Sequence, residues 1–285
     1  MKRSEFRFLD RLRVRWAEVD MQKIVFNGHY LMYIDTAVAG YWRAMAMPYH
    51  ETMEHLVGDM FVRKATLEYE ASARYDERLA VGIRCGRIGN SSMVFQAAVF
   101  RDERLLVHGD LVYVFADPVS QTSRPVPDGL RRALLAFEAG EPMVTVQIGN
   151  WDSQQEASSA LRHAVFAQEQ GIPADLMVDD ADPGAVHALA INRFGMAVGS
   201  GRLLQGAPGV AKIGRMATHG DVRGAGVGMQ VLQALMTAAR ERGDQEVVLN
   251  AQSSAVPFYL RAGYLAHGSP FVEAGVSHQA MRRAL

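Results

Sequence analysis

Cysteine is almost missing from this 285-residue chain, with Cys85 standing alone. One thiol closes no internal disulfide and builds no cysteine metal cluster, and such scarcity fits a reducing compartment. Cys85 lies in an apolar, strand-like run, where a free cysteine is usually buried and inert. An excess of charge is missing too. The formal net charge is −1 with 21% charged residues, which argues against a general binder of nucleic acid or anionic membrane. No stretch approaches the ~20 apolar residues of a membrane span. The first eight residues, MKRSEFRF, lack the apolar core of a signal peptide. A soluble, cytoplasmic protein is expected. Neither repeats nor low-complexity tracts are visible. With 49% hydrophobic residues the chain belongs to the globular class, and its length suggests two domains, each able to bury a core.

The first half begins with strict alternation over 11–16, a half-buried strand. A connection carrying Glu18 and Asp20 leads into a helix over about 28–46. Leu31, Ile34, Val38, Tyr41 and Met45 form one stripe on it, which implies packing against a large apolar surface. After a loop near Pro48 the period becomes two. Phe61, Ala65, Leu67, Tyr69 and Ala71 alternate with Lys64, Thr66, Glu68 and Glu70. Strands follow at about 78–88, 91–101 and 104–116, the first two separated by Gly89-Asn90. One long helix followed by consecutive long strands implies an antiparallel sheet curled round that helix. Asp128 is placed to cap a short helix to about Phe137, and the domain boundary falls at about 140, giving domains over 1–140 and 141–285.

The second half changes rhythm. A strand over 144–148 precedes a helix expected to be capped by Asp152 and closed by Gly171 and Pro173. Strands follow at about 185–192 and 195–205 around an Asn192–Gly195 turn. Residues 213–218 then read as a buried strand, Arg223-Gly-Ala-Gly-Val-Gly228 as a loop, and Val227, Val231, Leu232, Leu235 and Ala239 as a helix stripe. A strand at 246–250, a short helix at 253–261 and a strand at 277–284 complete the chain.

Glycines at the mouth of a helix leave N–H groups unpaired and unshielded, and with the positive end of the helix dipole they make an anion site. A tight turn without a ligand is the alternative. A dinucleotide turn wants G-x-G-x-x-G inside a parallel repeat, whereas the spacing here is G-x-G-x-G, behind an arginine and antiparallel-looking strands.

The arrangement resembles the GNAT acetyltransferase superfamily over about 144–285. Its pyrophosphate loop, Q/R-x-x-G-x-G/A, is matched by Arg223–Gly228. Segments 162–170, 214–217, 249–252, 258–264 and 273–278 look like the ElaA-type branch. The resemblance implies acetyl-CoA as donor co-substrate and no metal. Arg223, Gly224, Ala225, Gly226, Val227 and Gly228 would hold the pyrophosphate. The strand at 213–218 would pair with the pantetheine, a backbone N–H of Met216, Ala217 or Thr218 polarising the thioester carbonyl. Asn250 matches a CoA contact. Tyr259 matches the general acid that reprotonates the thiolate, the alternative being a core tyrosine. Glu273, His278 and His219 are candidate bases, and the amine acceptor is unassigned.

In the first half, residues 14–20, then 24–31, then the strands resemble the hotdog fold, specifically the YbgC and 4-hydroxybenzoyl-CoA thioesterase branch, over about 8–135. That resemblance implies acyl-CoA hydrolysis, with Asp20 as nucleophile or general base, an oxyanion donor near the backbone of Asn27, and a homo-oligomer. His29 could polarise or bind substrate, or be solvated at the helix start. Two positions depart from the family pattern: Lys23 stands where glycine is common, and Asn27 where many relatives have histidine. The expected fold class is therefore a two-domain α+β chain, hotdog then mixed α/β GNAT. The expected function is a two-headed CoA-thioester enzyme. The alternatives are a single catalytic half beside an oligomerising or CoA-sensing module, or a non-catalytic acyl-CoA-binding regulator.

Overall fold

The computed structural model describes residues 1–285, which divide into two compact units, Met1–Met143 and Val144–Leu285. In the first, β1 (Phe8–Arg13), β2 (Asp59–Tyr69), β3 (Arg78–Ile88), β4 (Ser92–Arg101) and β5 (Arg104–Ala116) form one sheet in the order β1-β3-β4-β5-β2, antiparallel throughout. The long helix α1 (Asn27–Ala44) packs against it, followed by α2 (Tyr49–His55) and, after the sheet, α3 (Asp128–Glu138). This is the sheet-round-a-helix arrangement expected from the alternation of long strands.

The stripe on α1 is richer in aromatics than its aliphatic residues suggested. Tyr30, Tyr33, Ile34, Ala37, Val38, Tyr41 and Trp42 are buried, whereas Leu31 is exposed. Tyr41 and Trp42 meet the Phe95 ring of β4 edge-on at 5.6 and 5.4 Å. Each such large side chain contributes roughly 1.5–3 kcal/mol by leaving water. Cys85 is half-buried, and burial pushes its thiol up to about 12, so it remains an unreactive thiol at neutral pH.

Local differences from the sequence reading have identifiable causes. The first strand stops at Arg13, because Trp16–Glu18 turns into a 3-10 helix around the buried Glu18. The segment at Pro48 contains α2, whose seven residues are too few to show a period. Asp128 lies inside the first turn of α3 and makes no side-chain cap. β2 alternates in sequence, yet 61–66 are exposed on both faces, because β2 is the outer strand and pairs with β5 alone.

The second unit has one mixed sheet in the order β11-β13-β10-β9-β8-β7-β6. Its strands are β6 (Val144–Gly149), β7 (Val186–Asn192), β8 (Ala197–Gln205), β9 (Val210–Thr218), β10 (Glu246–Gln252), β11 (Leu265–Ala266), β12 (Phe271–Glu273) and β13 (Val276–Ala284), with β12 paired to β13 off the main path. Helices α4 (Trp151–Arg162), α5 (Val227–Arg242) and α6 (Val256–Arg261) connect them. The cap of α4 is Asn150, whose side chain accepts the Ser153 N–H at 3.1 Å, with Asp152 in the first turn. Residues His163–Glu169 continue α4 as one wide π-helical stretch, the kind of local widening that often marks a functional position.

All pairings are antiparallel except β9 with β10, which is parallel and only three residue pairs long, Val210–Lys212 against Glu246–Val248. Both strands continue, to Thr218 and Gln252, but no longer beside one another. The sheet therefore opens at its centre, between 213–218 and 249–252. No helix of either unit is long and apolar enough to cross a membrane.

Candidate functional site

In the first unit a tight turn carries Asp20. The Asp20 N–H donates to the Ile24 carbonyl and the Lys23 N–H to the Asp20 carbonyl, both at 2.9 Å. One carboxylate oxygen of Asp20 accepts the Gln22 N–H at 2.8 Å. Lys23 has φ +61°, in the left-handed region where glycine is at ease. The lysine thus preserves the backbone path that glycine would take and bears a strain of about 1–2 kcal/mol.

Glu18, 3% exposed, fixes the turn from behind. Its carboxylate accepts the Arg15 N–H at 2.7 Å, the Arg15 Nε–H at 2.6 Å and the Tyr33 hydroxyl at 2.7 Å. Its carbonyl accepts the Phe26 N–H at 3.0 Å. Burial alone would raise the Glu18 carboxyl, but these bonds outweigh it and hold the group below the usual carboxylate range. Glu18 was not singled out as a site residue from sequence. Its only signal was an arginine three residues earlier.

α1 begins beside this turn. The Gly28 N–H is taken by Asn27's own side chain at 2.9 Å, and the His29 N–H by the Phe26 carbonyl at 2.9 Å. The Asn27 N–H has no acceptor in the protein. Asp20 and Asn27 line one cleft of about 590 Å³, with Ile24, Val25, Tyr30 and Tyr69 as further walls. His29 does not line it. Its Nδ1 is buried without a partner, and its ring lies edge-on to Phe26 at 6.0 Å.

In the second unit the glycine loop reaches the open end of the β9–β10 gap. Gly224 and Gly226 have φ +89° and +84°, and Gly226 is the N-cap of α5. A Cβ on either would touch nothing within 4 Å, so backbone angle demands these glycines and the space above them is open. The Ala225 N–H turns back to the Val222 carbonyl at 3.1 Å. The N–H groups of Val227, Gly228 and Met229, first in α5, have no intrahelical acceptor. A Cβ at Gly228 would lie 3.1 Å from the Thr218 Oγ1 and 3.7 Å from the Phe258 ring. The loop, the end of β9 and the start of α6 thus converge.

Arg223 acts at one remove. Its guanidinium grips Glu169 at 2.5 and 2.6 Å, and its Nε–H donates to the Thr218 carbonyl at 3.2 Å. The first of these bonds, with the charge of Arg223, holds the Glu169 carboxyl below its usual range. The loop is thereby clasped to the π-helical stretch.

In β9 itself the register shifts opposite Ser200–Arg202, so that Arg215 and Met216 bulge, with Arg215 at φ +53°. Ala217 is buried against Leu161 and Val165. Beyond Lys212 the β9 edge facing the gap has no strand partner, so its backbone groups are available to a ligand.

Tyr259 is 7% exposed on α6, its ring 5.7 Å from that of Tyr264. Burial pushes its hydroxyl up to about 12, so it is protonated at neutral pH. Asn250 is exposed and donates to Glu273 at 3.4 Å. His278 stacks on Phe271, its Nδ1 2.8 Å from the Val276 carbonyl. The His219 Nδ1 accepts the Asp221 N–H at 3.3 Å.

Residues 154–285 match the family described as the acetyltransferase (GNAT) domain, and residues 22–108 match the thioesterase superfamily. The uncharacterized N-acetyltransferase YjcF of Bacillus subtilis is 32% identical over 133 residues, which is 46% of this chain and 94% of that protein. The acyl-CoA thioester hydrolase YbgC of Escherichia coli is 26% identical over 123 residues, 42% of this chain and 89% of its own. The solved structure of Escherichia coli ElaA is 27% identical with a TM-score of 0.45, covering 50% of this chain and 99% of its own.

Proposed function

Because the chain belongs to the GNAT acetyltransferase family through its second unit, and carries a thioesterase-superfamily domain in its first, we propose that it acts on CoA thioesters twice. The first unit hydrolyses an acyl-CoA. The second transfers an acetyl group from acetyl-CoA to an amine.

The observation that carries the hydrolase reading is the pairing of Asp20 with the unoccupied Asn27 N–H in one cleft. The thioester carbonyl rests on that N–H, which strengthens its hold as charge builds on the oxygen. One such donor supplies ~10²–10³ in rate. Either Asp20 attacks the carbonyl, the C–S bond breaks to release CoA thiolate and water then hydrolyses the acyl-aspartyl anhydride, or Asp20 takes the proton of an attacking water as the C–S bond breaks and the thiolate leaves to be protonated. The turn built on Glu18 ties the backbone that carries Asp20 to the residue that opens α1, through the Phe26 N–H. In this reading His29 has no step.

The transferase reading is carried by the gap between β9 and β10 with the glycine loop at its mouth. The pantetheine arm lies along the free edge of β9 as a strand would. The pyrophosphate sits on the N–H groups that open α5, at roughly 1.5–3 kcal/mol per bond to a charged group. An N–H at Met216–Thr218, aimed by the bulge, polarises the carbonyl. The amine nitrogen forms the C–N bond as the C–S bond breaks. Tyr259 returns a proton to the thiolate, and the amine's proton leaves to a base or to water. Glu273, tethered to Asn250, is a candidate for that base.

The exposed β2 edge, with Phe61, Val62 and Tyr69 on it, supports assembly of two copies through the first unit, since an open apolar edge strand is a template for pairing. The test follows free thiol from acyl-CoA species without amine, for wild type and Asp20→Ala, then with an amine panel for wild type and Tyr259→Phe. Hydrolysis equal in wild type and Asp20→Ala refutes the first assignment. Transfer equal in wild type and Tyr259→Phe refutes the second.

A further inference from the structure

The second unit contains a ladder of charges, buried at one end and part-exposed at the other, that the steps above do not use. Arg162 on α4 donates to Asp182 at 2.9 Å. Arg202 on β8 reaches Asp182 at 2.9 Å and grips Asp179 at 2.5 and 2.7 Å. Arg215, at the bulge of β9, donates to Asp179 at 2.9 Å. His187 closes the ladder from β7, its Nε2 2.9 Å from the Asp182 carbonyl and its Nδ1 3.4 Å from Arg162. With one nitrogen donating and the other accepting, the imidazole is neutral.

Three guanidiniums therefore face two carboxylates, and one positive charge is left over. Asp179 has no acceptor capacity to spare, and Asp182 little. Asp182 also accepts the Asp179 N–H at 3.0 Å, and Asp179 the Ala181 N–H at 3.1 Å. The Nε–H groups of Arg162, Arg202 and Arg215 are all buried without an acceptor. Buried donors without acceptors beside a surplus charge call for a water or an ion.

The ladder also has a direction. The side chains of Arg162, Arg202 and Arg215 are 0%, 7% and 31% exposed, so the surplus charge reaches solvent at Arg215. Only its Nη2 is engaged, by Asp179. Arg215 immediately precedes Met216, in the part of β9 that has left β10. An anion held on Arg215 would lie beside the strand along which the thioester is proposed to rest.

We propose that Arg215, backed by Arg202 and Arg162, is an anion subsite that selects acceptors carrying a carboxylate as well as the reacting amine. The inference rests on the transferase reading of this unit and adds the chemical class of its acceptor. The carboxylate neutralises the ladder from the solvent end while the amine is presented to the acyl carbon. The bond changes are those of the transfer itself, and the carboxylate is unchanged by it.

The experiment compares matched amines, amino acids against their carboxamides, as acceptors from acetyl-CoA, with wild type, Arg215→Gln and Arg215→Lys. A charge-assisted contact predicts a preference for the free acid of at least about tenfold in kcat/KM, lost in Arg215→Gln and partly kept in Arg215→Lys. Equal use of both members by wild type, or an undiminished preference in Arg215→Gln, overturns the proposal. A second arm needs no turnover: thermal unfolding in sodium acetate against sodium chloride at equal ionic strength. An acetate-specific rise in Tm for wild type that is absent in Arg215→Gln supports the subsite. Equal stabilisation by the two salts, or the same rise in both proteins, leaves an adventitious ion only and overturns it. If acetyl-CoA binds and no amine is acylated, the transfer reading fails, and the thermal arm alone decides the subsite.

Discussion

The two units begin their working helices in opposite ways. In the first, α1 starts with an ordinary residue, and three of the nearby donors are consumed locally: Gly28 by the Asn27 side chain, His29 by Phe26, and Phe26 by Glu18. One N–H remains, beside one carboxylate. In the second, α5 starts from a left-handed glycine with open space above it, and several N–H groups remain together. The contrast follows from what each helix start would meet. A thioester carbonyl is one oxygen whose charge grows during reaction, so very few aimed donors serve it, each tightening as the charge develops. A diphosphate keeps its charge throughout, and it needs many donors and room to lie down.

This contrast breaks most readily at Asp20. Replacing it by alanine should lower amine-independent thiol release by roughly 10²–10⁴ while leaving amine-dependent transfer unchanged. A parallel loss in both assays would mean that the units do not work separately. Tyr259→Phe is the mirror experiment. Transfer should fall about 10²-fold at unchanged hydrolysis, and a shallow loss would return Tyr259 to the core. Gly226→Ala forces a side chain onto φ +84°. It should cost about 1–2 kcal/mol in stability and raise the KM for acetyl-CoA without a matching effect on hydrolysis, as thermal unfolding and initial rates would measure.

Asp179 distinguishes the units by pH. Its carboxyl is lowered from 3.8 to about 2, chiefly by the hydrogen bonds from Arg202. Because folding lowers this pKa, the stabilisation is fully present above about pH 4 and disappears as pH falls through about 2. Discounted for the partly exposed side chain, it amounts to about 1–2 kcal/mol. Asp179→Asn should lose it at pH 7 and flatten the acid side of the stability profile, read by denaturant melts across pH. The smallest effect is expected at Lys23→Gly. Relief of the left-handed lysine, set against a more flexible unfolded chain, should change stability by no more than about 1 kcal/mol. Hydrolysis should be unaltered, since the backbone at Asp20 is already the one glycine would give.

The sequence carried the long periodic elements well. β3, β4 and β5 were legible because each is a run of ten or more residues rich in apolar and β-branched side chains, with Gly89-Asn90 punctuating the first two. α1 was legible as a helix, but Leu31 was counted into its stripe while Tyr30, Tyr33 and Trp42 were not, since aromatic residues with a polar tip do not announce their face. The Asp152 cap was two residues from the real one at Asn150, an error inherent in choosing between neighbouring polar residues. The hydrolase turn was visible as a motif, but its support was not: Glu18 reads as one more loop carboxylate until Tyr33 and Arg15 are seen to close on it. The charge ladder was the least legible. Its members are scattered from 162 to 215, on a helix, a loop and three separate strands, and nothing in one dimension says that three arginines share two aspartates.

The short seam between β9 and β10 has a further meaning. A sheet whose centre is joined by three residue pairs is an unfinished wall, and the pantetheine arm is shaped like the missing course. Bound co-substrate would then count among the things that hold the second unit together, adding RT ln(1 + [L]/Kd) to its stability. Amide exchange at 213–218 should slow when it arrives. If the second unit works on CoA as proposed, each turnover would dismantle and rebuild part of the architecture, and the release of spent CoA would also be a small, local act of unfolding.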